Sequence, residues 1–480
     1  MVSTIAAFSL YFAAVLLIGF LVSRFSSKDL DHFFLANRTL GGFVVALSTV
    51  ASGRSAWLLL GFSGMAFSMG VAAVWATVGY ISIEAILFLT VGKKLRRETG
   101  RMGDITIPDY FASRYPGHSQ SLRLLSAVPI VVFLTAYVAA QLLAAGKAFQ
   151  SAFTLPVNEG MVLAAAIILV YTLLGGFLAV ALTDVIQGLL MILALIGLPL
   201  TVLVQRGGFS WLASSLMSLD PGLIAPMNLS VAVLAGFLGI GLGSAGNPHI
   251  LVRYMAAREE KDLVRAAMYG TVANILMAVG ATCTGLVGRA VYLSADHLPS
   301  GDPEMILPYL ARDTFHPFLF GVVLAAIFAA IMSTCDSQLL VASSGLIRDI
   351  YQKILRKNRQ VSTDDLVRLS RLAILILMVL AVLLAVSAKT IVFWFVLFSW
   401  SGLGAAIGPA VIVSLYSSNA SGRAILAGMV VGAVVTVVWN QVPLLKSSMY
   451  ELVPAFFLSL ITILLISGRN GTNQVYAKPE

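Results

Sequence analysis

Ala51-Ser52-Gly53-Arg54-Ser55 interrupts an otherwise apolar run from about Gly41 to Phe62, a run long enough to cross a bilayer. No water is available at that depth to solvate backbone groups, and an uninterrupted helix would satisfy them, so a polar, glycine-containing break needs another reason. The break also carries an arginine, which costs ~2.5–3.5 kcal/mol at a helix centre on insertion scales. Such a break in mid-membrane reads as a binding site; the plainer reading is a kink whose polar groups are tied to neighbouring helices.

Working outward, the 480 residues are 59% hydrophobic and 11% charged, which excludes an ordinary soluble composition. Apolar runs of membrane-spanning length recur along the whole chain. A membrane barrel would alternate in strands of ~10 residues, and nothing here does. The class expected is an all-α membrane protein of about 13 transmembrane helices, at roughly 3–24, 41–63, 69–92, 122–147, 158–178, 180–203, 230–252, 268–293, 317–347, 370–387, 390–416, 423–441 and 450–467. Residues 1–24 lack a basic start and a small-residue cleavage site, so they read as an uncleaved first span ending at Arg24.

The net charge of +9 raises nucleic acid as a partner, but its distribution removes it. With the N-terminus outside, only Lys147, Arg206, Arg289, Arg312, Lys389 and Lys446 fall on outside connections. Apart from Arg54, the rest of the 31 Lys and Arg residues fall on inside ones. This is the positive-inside pattern of a multi-pass cell-membrane protein with a cytoplasmic C-terminus, and the lipid bilayer is the partner it implies. Cys283 and Cys335 both lie in spans, so no disulfide framework is expected. The inside connections 92–123 and 348–368 suit short amphipathic helices, and the outside connections at 204–229 and 294–316 are long enough to act as lids.

The seventh span holds a second break, Gly239-Ile240-Gly241-Leu242-Gly243-Ser244-Ala245-Gly246-Asn247-Pro248, too rich in glycine to sustain a plain helix. It opens a block of five spans, as the Ala51–Ser55 span opens the preceding five. Interrupted spans at matching places in two halves point to the midplane site of an inverted-repeat transporter. The alternative is that the glycines only let helices pack closely. The ninth span adds Ala330, Ser333, Thr334 and Ser337 on one helix face, with Asp336 at its edge. An oxygen-rich stripe with a carboxylate suits a hard monovalent cation and suits zinc or copper badly, since no His or Cys cluster accompanies it. Such hydroxyls also serve simply to bond helix to helix.

At this point the sequence resembles the sodium:solute symporter family, especially its sodium–proline branch, over nearly the full chain. The resemblance rests on Thr106-Ile107-Pro108-Asp109-Tyr110 with Arg114-Tyr115, and on Gly175-Gly176-Phe177-Leu178-Ala179-Val180 with Thr183-Asp184. It also rests on Pro248-His249-Ile250-Leu251, Ala329-Ala330-Ile331-Met332-Ser333-Thr334 and Gly402-Leu403-Gly404-Ala405-Ala406-Ile407-Gly408-Pro409. It implies a five-plus-five inverted-repeat core with one extra N-terminal and two extra C-terminal helices. On that plan 1–40 is the extra helix and inner loop, 41–203 the first repeat, 204–229 an outer connection, 230–416 the second repeat, and 417–480 two helices and a short tail.

The resemblance further implies alternating access coupled to inward sodium flow, importing a small organic solute such as an amino acid or carboxylate. The main sodium site would use the carbonyls of Ala51, Arg54 and Ala330 and the hydroxyls of Ser333 and Thr334. A second cation site in some relatives falls on Ser333, Asp336, Ser337 and Asp184. Solute contacts are expected from Ser55, Gly243, Ser244 and Asn247 at the breaks, with Trp57, Tyr137 and Trp400 as lining aromatics, each equally an ordinary packing residue. Three departures stand out: Gly53 and Arg54 where the branch has an aspartate and its neighbour, Asp336 where a serine is usual, and Ile240 and Ser244 where proline carriers have Trp and Tyr. The last removes the aromatic walls of a proline pocket.

Arg54 has three readings. It offsets Asp336, so that two aspartates and one arginine leave a single negative charge for sodium. It pairs with Glu84 on the adjacent span, to avoid a bare charge. Or it binds the carboxylate of an anionic solute. Two other functions are weighed. Asp184 and Asp336, if close, need not both ionise, which would give a proton-coupled symporter. A solute sensor that does not pump is the other. No nucleophile–base pair or phosphate loop suggests an enzyme, and His249 reads as structural.

Overall fold

A computed structural model describes residues 2–23, 30–174, 176–357, 361–388 and 391–469. Met1, Arg24, Gly175, Lys389 and the tail beyond 469, each used above, fall outside the described residues. Among the described residues every regular element is helical. The helices that build the body are α1 (Val2–Ser23), α2 (Gly42–Ala56), α3 (Val74–Leu87), α4 (Ser119–Phe153), α5 (Val157–Leu174), α6 (Phe177–Arg206) and α7 (Val231–Gly239). They continue as α8 (Pro248–Met255), α9 (Glu260–Tyr292), α10 (Pro317–Ser344), α11 (Thr363–Ser387), α12 (Val392–Tyr416), α13 (Gly422–Gln441) and α14 (Leu452–Arg469).

Among the described residues, nine helical stretches are long and apolar enough to cross a membrane, or ten if a bent pair is one span. The count of thirteen is therefore not established. Gly42–Met102 runs two expected spans together, through a turn that Gly70 makes at φ +72°, while Val157–Leu173 and Leu452–Gly468 are short. A Cβ at Gly70 would also run into the backbone of Leu223, so glycine is required there twice over.

Helix α10 is the axis of the packing. It contacts α1, α2, α4 and α6, and nearly all its side chains from Phe320 to Ser344 are buried, polar ones included. By contrast α11 leaves Leu372, Leu375, Ile376, Val379, Leu380, Leu383 and Leu384 exposed, the lipid-facing apolar stripe of a peripheral helix.

The connection at 92–123 forms the short helices Lys93–Met102 and Ile107–Arg114, and the one at 204–229 forms Gly208–Leu219. In the 294–316 segment, Glu304 accepts from the amides of Val392 (3.0 Å) and Phe393 (2.8 Å) at the start of α12, and Lys147 Nζ lies 2.5 Å from its carboxylate. Those bonds tie the 294–316 segment, expected as a lid, onto α4 and α12.

Candidate cation and solute site

The first break lies at the end of α2. Ser55 has φ 49° and ψ −170°, a conformation rare for a side-chain-bearing residue, and the chain continues as a wide turn over Trp57–Phe62. The groups this releases are taken up by side chains. The Ala56 amide donates to Gln141 Oε1 (3.0 Å), the Trp57 amide to Ser55 Oγ (3.1 Å), and Ser55 Oγ meets Tyr137 OH at 3.3 Å.

The second break winds tightly over Ile240–Ala245 and then bends by 49° before Pro248 starts α8. Asn247 caps it, its Nδ2 donating to the carbonyls of Gly243 (2.8 Å) and Trp400 (3.3 Å). Trp400 Nε1 donates to Ile240 O at 2.9 Å, and its indole sits so close over Gly243 that no Cβ fits there. The second broken span is interrupted across the stretch the sequence reading gave, while the first stays helical through Arg54 and breaks only at Ser55, the last residue of its stretch.

The hydroxyl face of α10 meets the first break. Ser333 Oγ is 3.3 Å from Ala51 O and 3.1 Å from Ala330 O, while Thr334 Oγ1 is 3.0 Å from Ser52 O and 2.9 Å from Ala330 O. All five residues are fully buried. The Arg54 carbonyl accepts from the Trp57 amide, and the second α2 carbonyl hydrogen-bonded at the hydroxyl face is that of Ser52. Two hydroxyls and three carbonyls at this spacing supply hard oxygen donors, the set that suits an alkali cation.

Asp184 and Asp336 gather beside Ser337, around a cation the sequence reading had assigned to an inside connection. Arg253 is fully buried. Its Nη2 lies 2.8 Å from Asp184 Oδ2 and 2.6 Å from Ser337 Oγ, its Nε donates to Ser48 Oγ (2.7 Å), and its Nη1 donates to His249 O. Ser48 Oγ donates to Asp184 Oδ2 at 2.6 Å. Asp336 Oδ1 accepts from the Ser337 amide (2.7 Å), and Ser337 Oγ donates to Ser333 O (2.8 Å), joining this cluster to the hydroxyl face. Asp184 Oδ1 and Asp336 Oδ2 are buried without a hydrogen-bond partner among the described residues.

Arg54 stands apart from these aspartates. Its Nη2 is 2.9 Å from Glu84 Oε2, its Nε donates to Asn274 Oδ1 (2.6 Å), and Asn274 Nδ2 reaches Glu84 Oε2 at 2.5 Å. The arginine beside Asp184 is thus Arg253, so the reading in which Arg54 offsets Asp336 is corrected. Charge balance in the sequence pointed to an arginine without saying which. Arg253, four residues beyond His249 on α8, lay too near the inner loop to be separated from the positive-inside set.

Aromatic rings surround both breaks. Tyr137 packs edge-on against His249 (5.9 Å between centroids) and Trp400 (6.3 Å), and His249 lies 6.1 Å from Trp400. Both ring nitrogens of His249 and Asn247 Oδ1 are buried without hydrogen-bond partners among the described residues. His249, read as structural, therefore stands with Tyr137 and Trp400, and the periodicity of its span gave no signal of that.

Beside the 92–123 connection, Arg123 Nη1 bridges Asp109 (2.5 Å) and Asp349 (2.6 Å), and Thr106 Oγ1 donates to Asp349 at 3.0 Å. Burial alone would raise the Asp109 carboxyl; Arg348 and Arg123 hold it below the usual carboxylate range.

A family model described as "Sodium:solute symporter family" matches residues 33–432. The osmoregulated proline transporter OpuE of Bacillus subtilis (strain 168) is 37% identical over 469 residues, covering 97% of this chain and 94% of that protein. The sodium/proline symporter of Escherichia coli (strain K12) is 36% identical over 471 residues, covering 96% and 92%. Among solved structures, the substrate-bound outward-open state of a Na+-coupled sialic acid symporter aligns with a TM-score of 0.82 at 19% identity, covering 97% of this chain and 98% of that one. MhsT in complex with L-phenylalanine aligns with a TM-score of 0.54 at 16% identity, over 90% and 98%. At those identities the two structures speak to the fold alone. This chain belongs to the sodium:solute symporter family, and its activity is sodium-coupled symport of a small solute.

Proposed function

We propose that the chain imports a small zwitterionic amino acid of the proline type, with one sodium ion bound between the first break and the hydroxyl face of α10. The observation that carries this reading is the meeting of Ser333 and Thr334 with the carbonyls of Ala51, Ser52 and Ala330. Bound there from outside, the ion would lock α2 to α10 in the shape that receives solute, and closure would expose both to the cytoplasm. The membrane potential adds ~2.3 kcal/mol per charge per 100 mV.

Asp184, Asp336 and Ser337 form the second candidate cation position. With Arg253 the two aspartates sum to one negative charge, which a single sodium neutralises. The solute would contact Ser55, Gly243, Ser244 and Asn247, against Trp57, Tyr137, Trp400 and His249. A zwitterion suits this site better than an anion, because Arg54 is already matched by Glu84 and Arg253 by Asp184. The names of the relatives point to proline. The repeats at 41–203 and 230–416, an outside N-terminus and a role in transport rather than catalysis complete the reading.

The test is sodium-driven uptake into proteoliposomes with a competition panel of proline, other amino acids, monocarboxylates and sugars. Competition by monocarboxylates alone would reject the zwitterion. Uptake driven by a pH gradient without sodium would favour the proton-coupled alternative, and binding without accumulation would favour a sensor.

A further inference from the structure

The rings at the two breaks share a neighbour from a third helix. Tyr80, on α3, stacks with Trp57 (centroids 6.4 Å apart, planes at 23°) and with Trp400 (5.5 Å, 28°). Trp57 follows the first break directly and Trp400 binds the second through Ile240 O, so Tyr80 joins the walls of both. Its space is made by Gly53, where a Cβ would lie 2.6 Å from the Tyr80 hydroxyl oxygen, which donates to Glu84 Oε1 at 3.5 Å.

Its position is held by charge. The guanidinium carbon of Arg54 lies 3.1 Å from the Tyr80 ring centroid, and the Arg54–Glu84–Asn274 triad fixes that guanidinium. Tyr80, Arg54 and Glu84 are each 2% exposed or less, so the cation–ring contact is desolvated, the setting in which it is strongest. An ion pair used only to avoid a bare charge would not need to lie over an aromatic ring packed between the tryptophans of the two breaks.

We infer that Tyr80 is a specificity-determining wall of the solute pocket, and that Arg54, anchored by Glu84 and Asn274, is the positioning residue that holds its ring. The inference rests on the solute site proposed between the two breaks. A solute gripped by these rings has a compact apolar body, as a cyclic or short aliphatic amino acid does. Arg54 acts on it through the ring and not through its carboxylate.

The experiment measures solute KM, panel selectivity and the sodium half-saturation constant in proteoliposomes for four forms: wild type, Tyr80→Leu, Tyr80→Phe, and Arg54→Met with Glu84→Leu. The double variant removes both charges together, so no bare ion is left buried. Tyr80→Leu should raise KM about tenfold and broaden the panel, the scale of a changed apolar wall. Tyr80→Phe keeps the ring and should stay near wild type. The double variant should shift KM in the same direction as Tyr80→Leu, with the sodium half-saturation within about twofold of wild type on the same scale.

A double variant with unchanged KM and selectivity would overturn the positioning role, as would a shift confined to the sodium constant. If the double variant is not monodisperse in detergent, the Tyr80 pair decides, and wild-type KM in Tyr80→Leu overturns the inference. A wild type with no sodium-driven uptake of any panel solute would instead fail the proposed function, and is read separately.

Discussion

Arg253 makes four hydrogen bonds inside the membrane-spanning body, to Ser48, His249 O, Asp184 and Ser337. Removing one member of a buried ion pair costs ~3–5 kcal/mol, because the partner is left charged and dry. Arg253→Met should therefore lose most of its monodisperse yield on size exclusion, and adding Asp184→Asn should recover it. A single variant as well behaved as wild type would mean that Asp184 is not charged beside it. Ser333 tests the ion site more gently. A lost hydroxyl ligand is worth ~1–1.5 kcal/mol, so Ser333→Ala should raise the sodium half-saturation constant about tenfold while solute KM at saturating sodium changes little. An unchanged sodium constant would place the ion elsewhere.

At the scale of the element, the breaks set what the helices do. Ser55 holds φ 49° and ψ −170°, which glycine reaches freely and a β-branched residue does not. Ser55→Val should lower the melting temperature and abolish uptake, at a backbone cost of ~1–3 kcal/mol, whereas Ser55→Gly should keep the fold and weaken the contact to Tyr137. Thermal unfolding in detergent separates the two, and equal stability would mean that the break relaxes without cost.

The connection at 92–123 answers to pH. Burial pushes the Asp104 carboxyl up to about 6, against the lowering effect of its bond from Ser113. A folded-state pKa raised above the unfolded one favours folding fully below the unfolded value, and that contribution is lost as pH rises through about 6. The segment around Asp104 should thus resist proteolysis better at pH 5.5 than at pH 7.5, and Asp104→Asn should flatten the difference. Asp109 runs the other way, its contribution falling away only in more acidic solution as its lowered pKa is crossed.

The breaks were legible because glycine, proline and a polar run inside an apolar span leave a local signature that survives any packing. The hydroxyl face of α10 was legible from its 3–4 spacing. Arg253 was not, since an arginine near a span's end reads the same whether it faces the cytoplasm or an aspartate. Tyr80 and Asn274 were missed for a related reason: each sits in an ordinary apolar helix and gains its role only from what α2 brings against it. The bond from Thr334 to the Ser52 carbonyl was not legible either, since it is fixed by how α2 rotates before it breaks.

For the whole molecule, the central claim is that two broken spans and one hydroxyl-lined helix hold sodium beside the solute, so that ion and solute move together. The apolar stripe of α11 and the Glu304 bonds to the start of α12 frame that core without entering it. The most direct measurement is the initial rate of solute uptake into proteoliposomes as external sodium is varied, with and without an inside-negative potential, for wild type and Asp336→Asn. Wild-type uptake should saturate with sodium and rise with the potential, and Asp336→Asn should need more sodium or lose part of the voltage response. Uptake indifferent to sodium and voltage, or identical curves for the two proteins, would contradict the account.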